Sequence, residues 1–301
     1  VHGSDRIVDV SNVADTKRSA GSTLASVNPA LQYHSLEDFL ASTTSHVDGV
    51  LDDGWGESFP VKGREIDAVV LFADISGFST RTLDMSPAET LVYVQNFFAW
   101  VTAEALKGRP GIVDKYIGDE VMVVFSEEFG SEDPFSDAVQ AAAAMSRNDF
   151  LAYQPHMGIA AGEVIVGYAG TPMRYNVSVF GAPVALAARC AGVRPPESDP
   201  NEPHGVVSST MAFPAADWGD RALDDVLPPG SRLQPEEWRV FELQEPRSVP
   251  MKGLGEVEVL EIYNTGLHRP MQNAEDRAKA SLAFLKEHRR YWPRWDNPPT
   301  P

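Results

Sequence analysis

The chain has 301 residues, 43% of them apolar, and a formal net charge of −18. That length supports one large core or one core with appendages, and the acidity argues against a general nucleic-acid binder, whose phosphate contacts need clustered Lys and Arg. No run approaches the roughly 20 continuous apolar residues of a membrane helix, the N-terminus lacks a signal-peptide pattern, and a single cysteine, Cys190, excludes an intramolecular disulfide, so the expectation is a cytoplasmic protein acting on a small substrate.

Residues 1–34 are rich in Ser, Ala, Val and Asp without a period and read as a loosely ordered arm. Ser35-Leu-Glu-Asp then opens a helix carrying Leu36, Phe39 and Leu40, which stops at the glycines between positions 49 and 56. The main domain begins near Glu65. An apolar run at 68–72 predicts a buried strand that delivers Asp74 at its end, and Gly77 lets the backbone approach a phosphate closely.

Ser86-Pro87-Ala88-Glu89 combines an N-cap, a proline at the first helical position and a glutamate that closes a capping box. The helix it starts carries Leu91, Val94, Phe97, Phe98 and Val101 at helical spacing, a stripe expected to face the core. Positions 114–117 and 121–125 predict two strands joined at Gly118-Asp119, with Asp119 at the hairpin tip. Asp133-Pro134 starts a further helix through Ala138, Ala142 and Met145.

Positions 156–161 and 164–168 suggest a second hairpin turned at Gly162-Glu163, followed by a strand at 176–180 and a short helix from Pro183 to Gly192. Residues 195–203 are a loop by composition. Strands at 205–208, 238–243 and 257–263 complete a mixed, mainly antiparallel sheet with packed helices, an α/β (α+β) fold of ferredoxin-like type. A helix with Leu282 and Phe284 and then a Trp- and Pro-rich tail end the chain. The expected division is 1–64 arm and helix, 65–266 main domain, 267–301 helix and tail.

If the strands bearing Asp74 and Asp119 are neighbours, both carboxylates face one small volume. Two hard oxygen ligands suit Mg²⁺ or Mn²⁺ shared with substrate phosphates, which points to phosphoryl or nucleotidyl transfer. The alternative is that Asp74 caps a helix and Gly118-Asp119 is hairpin chemistry alone.

Four ordered blocks, Phe72-Ala-Asp-Ile-Ser-Gly-Phe78, Lys115-Tyr-Ile-Gly-Asp119, Tyr175-Asn-Val-Ser-Val-Phe-Gly-Ala-Pro-Val-Ala-Leu-Ala-Ala-Arg189 and Met251-Lys-Gly-Leu-Gly255, resemble the catalytic domain of class III nucleotidyl cyclases over about residues 65–265. The resemblance implies that Asp74 and Asp119, joined by Ile75, hold two Mn²⁺ or Mg²⁺ ions per site. It also implies that the amides of Ile75, Ser76, Gly77 and Phe78 cradle the triphosphate, that Arg189 stabilises charge on the transferred phosphoryl group, and that Lys115 and Ser178 select the base. Family members build each site across a head-to-tail homodimer, with the aspartates from one subunit and Arg189 and the base pocket from the other.

One position departs from the family pattern: Ala185 stands where an asparagine is usual. Positions 185 and 189 lie four apart on one helix and share a face, so the missing amide belongs beside the arginine. The wording of the third block resembles most closely the bacterial pyrimidine (uridylate or cytidylate) cyclases of Pycsar anti-phage systems. That resemblance implies conversion of UTP to 3′,5′-cyclic UMP and pyrophosphate, with Tyr175 or Phe180 filling space that a purine would need. The alternatives are a cytidylate cyclase, an adenylate cyclase favoured by Lys115, and a catalytically silent nucleotide-binding module favoured by Ala185.

Overall fold

The computed structural model describes residues 62–149, 151, 153–171, 174–194, 210–227 and 241–264, together with 280 and 283. The chain divides into two compact units, Val1–Pro60 with Gly170–Tyr175 and Val61–Ala169 with Asn176–Pro301. Of the first, only the strand residues Gly170, Thr171, Arg174 and Tyr175 are described. The second unit contains the rest of the sheet, the cores on its two faces with a smaller third buried cluster, and every group of the candidate site.

Strand β1 (Lys62–Asp74) is the axis of the sheet. Side chains alternate along a strand, and β1 is apolar on both faces: Val69, Leu71 and Ala73 enter one core, and Ile66, Ala68, Val70 and Phe72 enter the other. This explains the unbroken apolar run in the sequence. A short helix α1 (Phe78–Thr82) follows, and then α2 (Pro87–Leu106), whose Ser86 and Glu89 form the expected capping box.

Strands β2 (Ile112–Ile117) and β3 (Glu120–Phe125) form the expected hairpin, with Ile117 opposite Glu120 and only Gly118 and Asp119 between them. Helix α3 (Pro134–Arg147) is capped by the Asp133 side chain as anticipated. After β4 (His156–Thr171) and β5 (Arg174–Phe180) comes α4 (Ala182–Ala191). The described chain continues through β6 (Thr210–Pro214), α5 (Ala215–Trp218), α6 (Leu223–Val226), β7 (Phe241–Leu243), β8 (Arg247–Met251) and β9 (Gly255–Asn264).

The sheet order is β2-β3-β1-β4-β6-β9-β7, with β5 paired to β4 and β8 to β9. The first four strands, in the order β2-β3-β1-β4 and alternating with α2 and α3, make the ferredoxin-like unit. Strand β1 pairs antiparallel with β3 and β4, β2 with β3, and β9 with β6, β7 and β8, while β4 pairs parallel with β6, so the mainly antiparallel α/β architecture read from the sequence is the one observed. Helices α2 and α3 cover one face of the sheet. Helix α4 covers the other and approaches so closely that a Cβ on Gly158 of β4 would lie 2.0 Å from the Ala187 carbonyl oxygen.

Two sequence expectations are corrected. The chain does not turn at Gly162-Glu163; β4 runs straight through, pairing Gly162 with Ala68 and Glu163 with Asp67. Gly162 serves close packing instead, since a side chain there would meet Pro183 at the start of α4 at 3.1 Å. The core stripe of α2 is also rotated: Val92, Tyr93, Phe97, Trp100, Val101 and Ala105 are buried, whereas Leu91 is 50% exposed. The helix is apolar on more than one side, and Tyr93 can enter the core because its hydroxyl accepts a hydrogen bond from Arg81 Nη1 at 3.0 Å.

Strands β6 and β8 were not anticipated. The helix from Ser35, the strand at 205–208, the first residues of the strand at 238–243, the Tyr175 side chain and most of the C-terminal helix lie outside the described residues. No described helix is long and apolar enough to cross a membrane.

Candidate active site

Asp74 ends β1 and pairs in register with Glu120 on β3 and with His156 on β4. The neighbouring hairpin tip brings Asp119 to it, and the two carboxylates are within hydrogen-bonding reach. Burial first, then this hydrogen bond and the charges of Asp119 and Glu120, push the Asp74 carboxyl up to about 8, against the opposing charge of Arg194. Glu120 is raised for the same reasons, burial and Asp119, with Arg189 opposing. His156 is driven down to about 4 by burial and by Arg194 and Arg81, so it is neutral beside the carboxylates.

Such a pair of carboxylates holds a proton because two anions cannot share a half-buried site, and a cation resolves the conflict equally well. Among the described residues no three His, Cys, Asp or Glu side chains group to hold an ion. A divalent cation would therefore rest on Asp74 and Asp119, with its other positions left to backbone and substrate oxygens, an arrangement that suits Mg²⁺ or Mn²⁺. The residues present fit that group. Ile75 is buried, and its carbonyl accepts from Phe78 N–H at 3.3 Å in the turn that follows. Gly77 adopts φ 64, ψ 31, with nothing within 4 Å of where its Cβ would be, so the backbone there is open to close approach.

A second cluster is built on the middle of β2. The β2–β3 register slips between Val113 and Lys115, a bulge at Asp114 that re-aims its side chain. The Asp114 carboxylate accepts from the Ser178 hydroxyl at 2.8 Å and from Val179 N–H at 3.0 Å, and it pairs with the Lys115 ammonium at 3.2 Å. The same ammonium stands 5.1 Å from the centre of the Phe180 ring. Lys115, Ser178 and Phe180, named separately from the sequence, are thus one group, and Asp114 is the residue that joins them.

Arg189 and Ala185 are both exposed and share a face of α4. Arg189 acts electrostatically on Glu120, which places it toward the acidic end. Sequence reasoning missed Asp114 and Arg194. Arg194 follows α4 and donates to the Ala191 carbonyl at 2.8 Å while its charge reaches Asp74; a lone arginine after a helix gives no local sign of this. For Asp114 the sign was its place directly before Lys115.

No family model matches the chain. Two uncharacterized proteins of Mycobacterium tuberculosis (strain ATCC 25618 / H37Rv) are similar: Rv1319c is 29% identical and Rv1318c 31% identical, each over 163 residues covering 53% of this chain and 29% of the relative. The chain thus spans under a third of the length of these curated relatives. Among solved structures, the adenylyl cyclase CyaB from P. aeruginosa superposes with TM-score 0.50 at 19% identity, covering 70% of this chain and 100% of that one. The chain has the fold of class III cyclase domains. The catalytic core of a rhodopsin-guanylyl cyclase with converted specificity, in complex with ATPαS, also gives TM-score 0.50, at 16% identity over 67% of this chain and 98% of that one.

Proposed function

We propose that the chain is a divalent-metal-dependent nucleotidyl cyclase that converts a nucleoside triphosphate to its 3′,5′-cyclic monophosphate and pyrophosphate. The observation that carries this reading is the Asp74–Asp119 pair at the end of β1, held close enough for one carboxyl to keep its proton to about 8. When bound there, Mn²⁺ or Mg²⁺ supplies charge neutralisation at the phosphates and activation of the attacking 3′-oxygen. Asp74 and Asp119 hold the ions, with Ile75 contributing backbone. The turn from Ile75 to Phe78, with its open left-handed Gly77, receives the triphosphate.

The bond from the 3′-oxygen to the α-phosphorus forms as the bond from the α-phosphorus to the bridging oxygen breaks, pyrophosphate leaves, and the 3′-hydroxyl proton passes to solvent. Arg189 then stabilises negative charge that grows on the transferred group. Lys115 and Ser178 orient the base, which fixes the ribose for in-line attack. Lys115 is engaged by Asp114 and Phe180, while the charges that bear on Asp74 are Asp119, Glu120 and Arg194. A head-to-tail homodimer, in which each site takes aspartates from one subunit and Lys115, Ser178 and Arg189 from the other, rests on the resemblance to class III cyclases, since within one chain the charge of Arg189 reaches Glu120 beside the aspartates.

The finer reading is UTP as substrate and cyclic UMP as an alarm signal in bacterial anti-phage defence, with manganese as the metal, in the cytoplasm; it is supported by the wording of the 175–189 block. A second reading, ATP to cyclic AMP, is favoured by Lys115 held beside Ser178. The catalytic unit on either reading is 65–266, with 1–64 and 267–301 as flanking arms. Incubation of the purified chain with each of the four nucleoside triphosphates and Mn²⁺, with pyrophosphate and cyclic product both quantified, tests it. Equal amounts of the two are expected, and triphosphate breakdown without a cyclic product rejects it.

A further inference from the structure

We propose that Asp114 is a positioning residue that sets the hydrogen-bond polarity of the base site. An ionised carboxylate only accepts hydrogen bonds, an ammonium only donates, and a serine hydroxyl has one proton to give. Asp114 takes that proton from Ser178 at 2.8 Å. Ser178 is left with lone pairs alone toward anything that approaches its other side. The same carboxylate oxygen pairs with Lys115 at 3.2 Å and holds that ammonium as a neighbouring donor.

The site therefore accepts at Ser178 and donates at Lys115. A base must offer an N–H beside an acceptor: the amine and ring nitrogen of adenine or cytosine, or the ring N–H and adjacent carbonyl of uracil or guanine. A carbonyl facing Ser178 is excluded, because two acceptors would oppose each other without a proton between them. This rests on the reading of Lys115 and Ser178 as base-contacting residues.

The polarity is built into the fold. The bulge at Asp114 aims its carboxylate across to β5, 64 residues away in sequence from Ser178. Its second oxygen is committed to Val179 N–H at 3.0 Å, and its side chain is only 3% exposed. The carboxylate consequently cannot rotate to release Ser178 without abandoning a backbone donor.

Asp114→Asn makes the proposal testable, because the two oxygens are not equivalent. Val179 N–H requires an acceptor, so the amide oxygen stays there and the amide NH₂ falls on Ser178 Oγ. Ser178 then receives a hydrogen bond, and its own proton turns toward the base. A variant of nearly identical shape inverts the polarity at Ser178 and releases the Lys115 ammonium, which shared that oxygen.

The experiment measures binding of α,β-methylene analogues of ATP, GTP, CTP and UTP to the full chain with Mn²⁺ by calorimetry. It is repeated with the preferred base carrying N-methyl groups that remove its N–H, for wild type, Asp114→Asn and Ser178→Ala. In the wild type, blocking the N–H should weaken binding at least about tenfold. In Asp114→Asn the rank order of the four bases should change and the methylation penalty should fall to about threefold or less, and in Ser178→Ala the penalty should also vanish.

An unchanged rank order and penalty in folded Asp114→Asn overturns the proposal, as does a uniform loss across all four bases, which is what a purely structural tie between β2 and β5 would give. If Asp114→Asn does not fold, Ser178→Ala decides: retention of the penalty overturns the proposal. Product formation is read separately with the reactive triphosphates. Base-selective binding without cyclic product leaves the polarity assignment standing and removes the cyclase reading, whereas folded wild type that binds none of the analogues overturns both.

Discussion

Asp119 sits close enough to Asp74 to hydrogen-bond its carboxyl, and the Asp74 side chain, already raised by burial, is pushed up to about 8. Two carboxylates kept at this distance oppose folding in the absence of a counter-ion. Their meeting at one point thus costs stability, as expected of a site built for a bound cation.

Asp119→Ala and Asp74→Asn should each abolish cyclic product while leaving the fold intact. Asp74→Asn should in addition raise the melting temperature of the metal-free protein at neutral pH, by about 2–4 °C. The sign follows from linkage: a carboxyl whose folded pKa lies above its unfolded value of 3.8 stabilises fully below that value, and the contribution is lost as pH rises through about 8. Calorimetric scans at pH 5 and pH 8 check this, with the variant's advantage larger at pH 8. An advantage that is equal at both would contradict the assignment.

Metal binding should release a proton below about pH 8, because the cation displaces the one held by Asp74. Apparent Mn²⁺ affinity should then climb by up to about tenfold per pH unit between pH 6 and 8 and level off above. Titrations in buffers of differing ionisation enthalpy read the released proton directly, and a pH-independent affinity would count against a carboxylate pair as the ligand set.

Mixing Asp74→Ala and Arg189→Ala subunits, each inactive alone, should restore about a quarter of wild-type activity, since half the dimers are mixed and each carries one intact site. Absence of recovery would mean that one chain supplies both groups to the same site.

Gly158→Ala should be costly although its backbone is ordinary. The added methyl would sit 2.0 Å from the Ala187 carbonyl oxygen and 2.1 Å from Ala191 N. Helix α4 must move, at a cost of about 1–3 kcal/mol or more, and Arg189 moves with it. Denaturant melts and kcat should both fall; a stable, fully active variant would contradict the packing of α4 on β4.

Much of this was legible in the sequence where the controlling chemistry is local. The Ser86 and Glu89 box, the proline after Asp133 and the two-residue tip at Gly118-Asp119 announce their elements because each satisfies its own backbone. Asp74 and Asp119 were recognisable as strand-end and turn carboxylates, and their meeting required only that β1 and β3 be neighbours. The uninterrupted β4 was hidden because Gly162 answers to α4 rather than to its own neighbours. Similarly, the phase of α2 depends on Arg81 reaching Tyr93, and the part played by Asp114 depends on a bulge and on a strand 64 residues away. Contacts of that range leave no periodic trace.

The most direct test of the central claim is mass-spectrometric analysis of products from wild type and Asp119→Ala incubated side by side with ATP, GTP, CTP and UTP and Mn²⁺. The account predicts a 3′,5′-cyclic monophosphate from wild type and none from the variant. No cyclic nucleotide from dimeric, metal-loaded wild type, or undiminished product from Asp119→Ala, would contradict it.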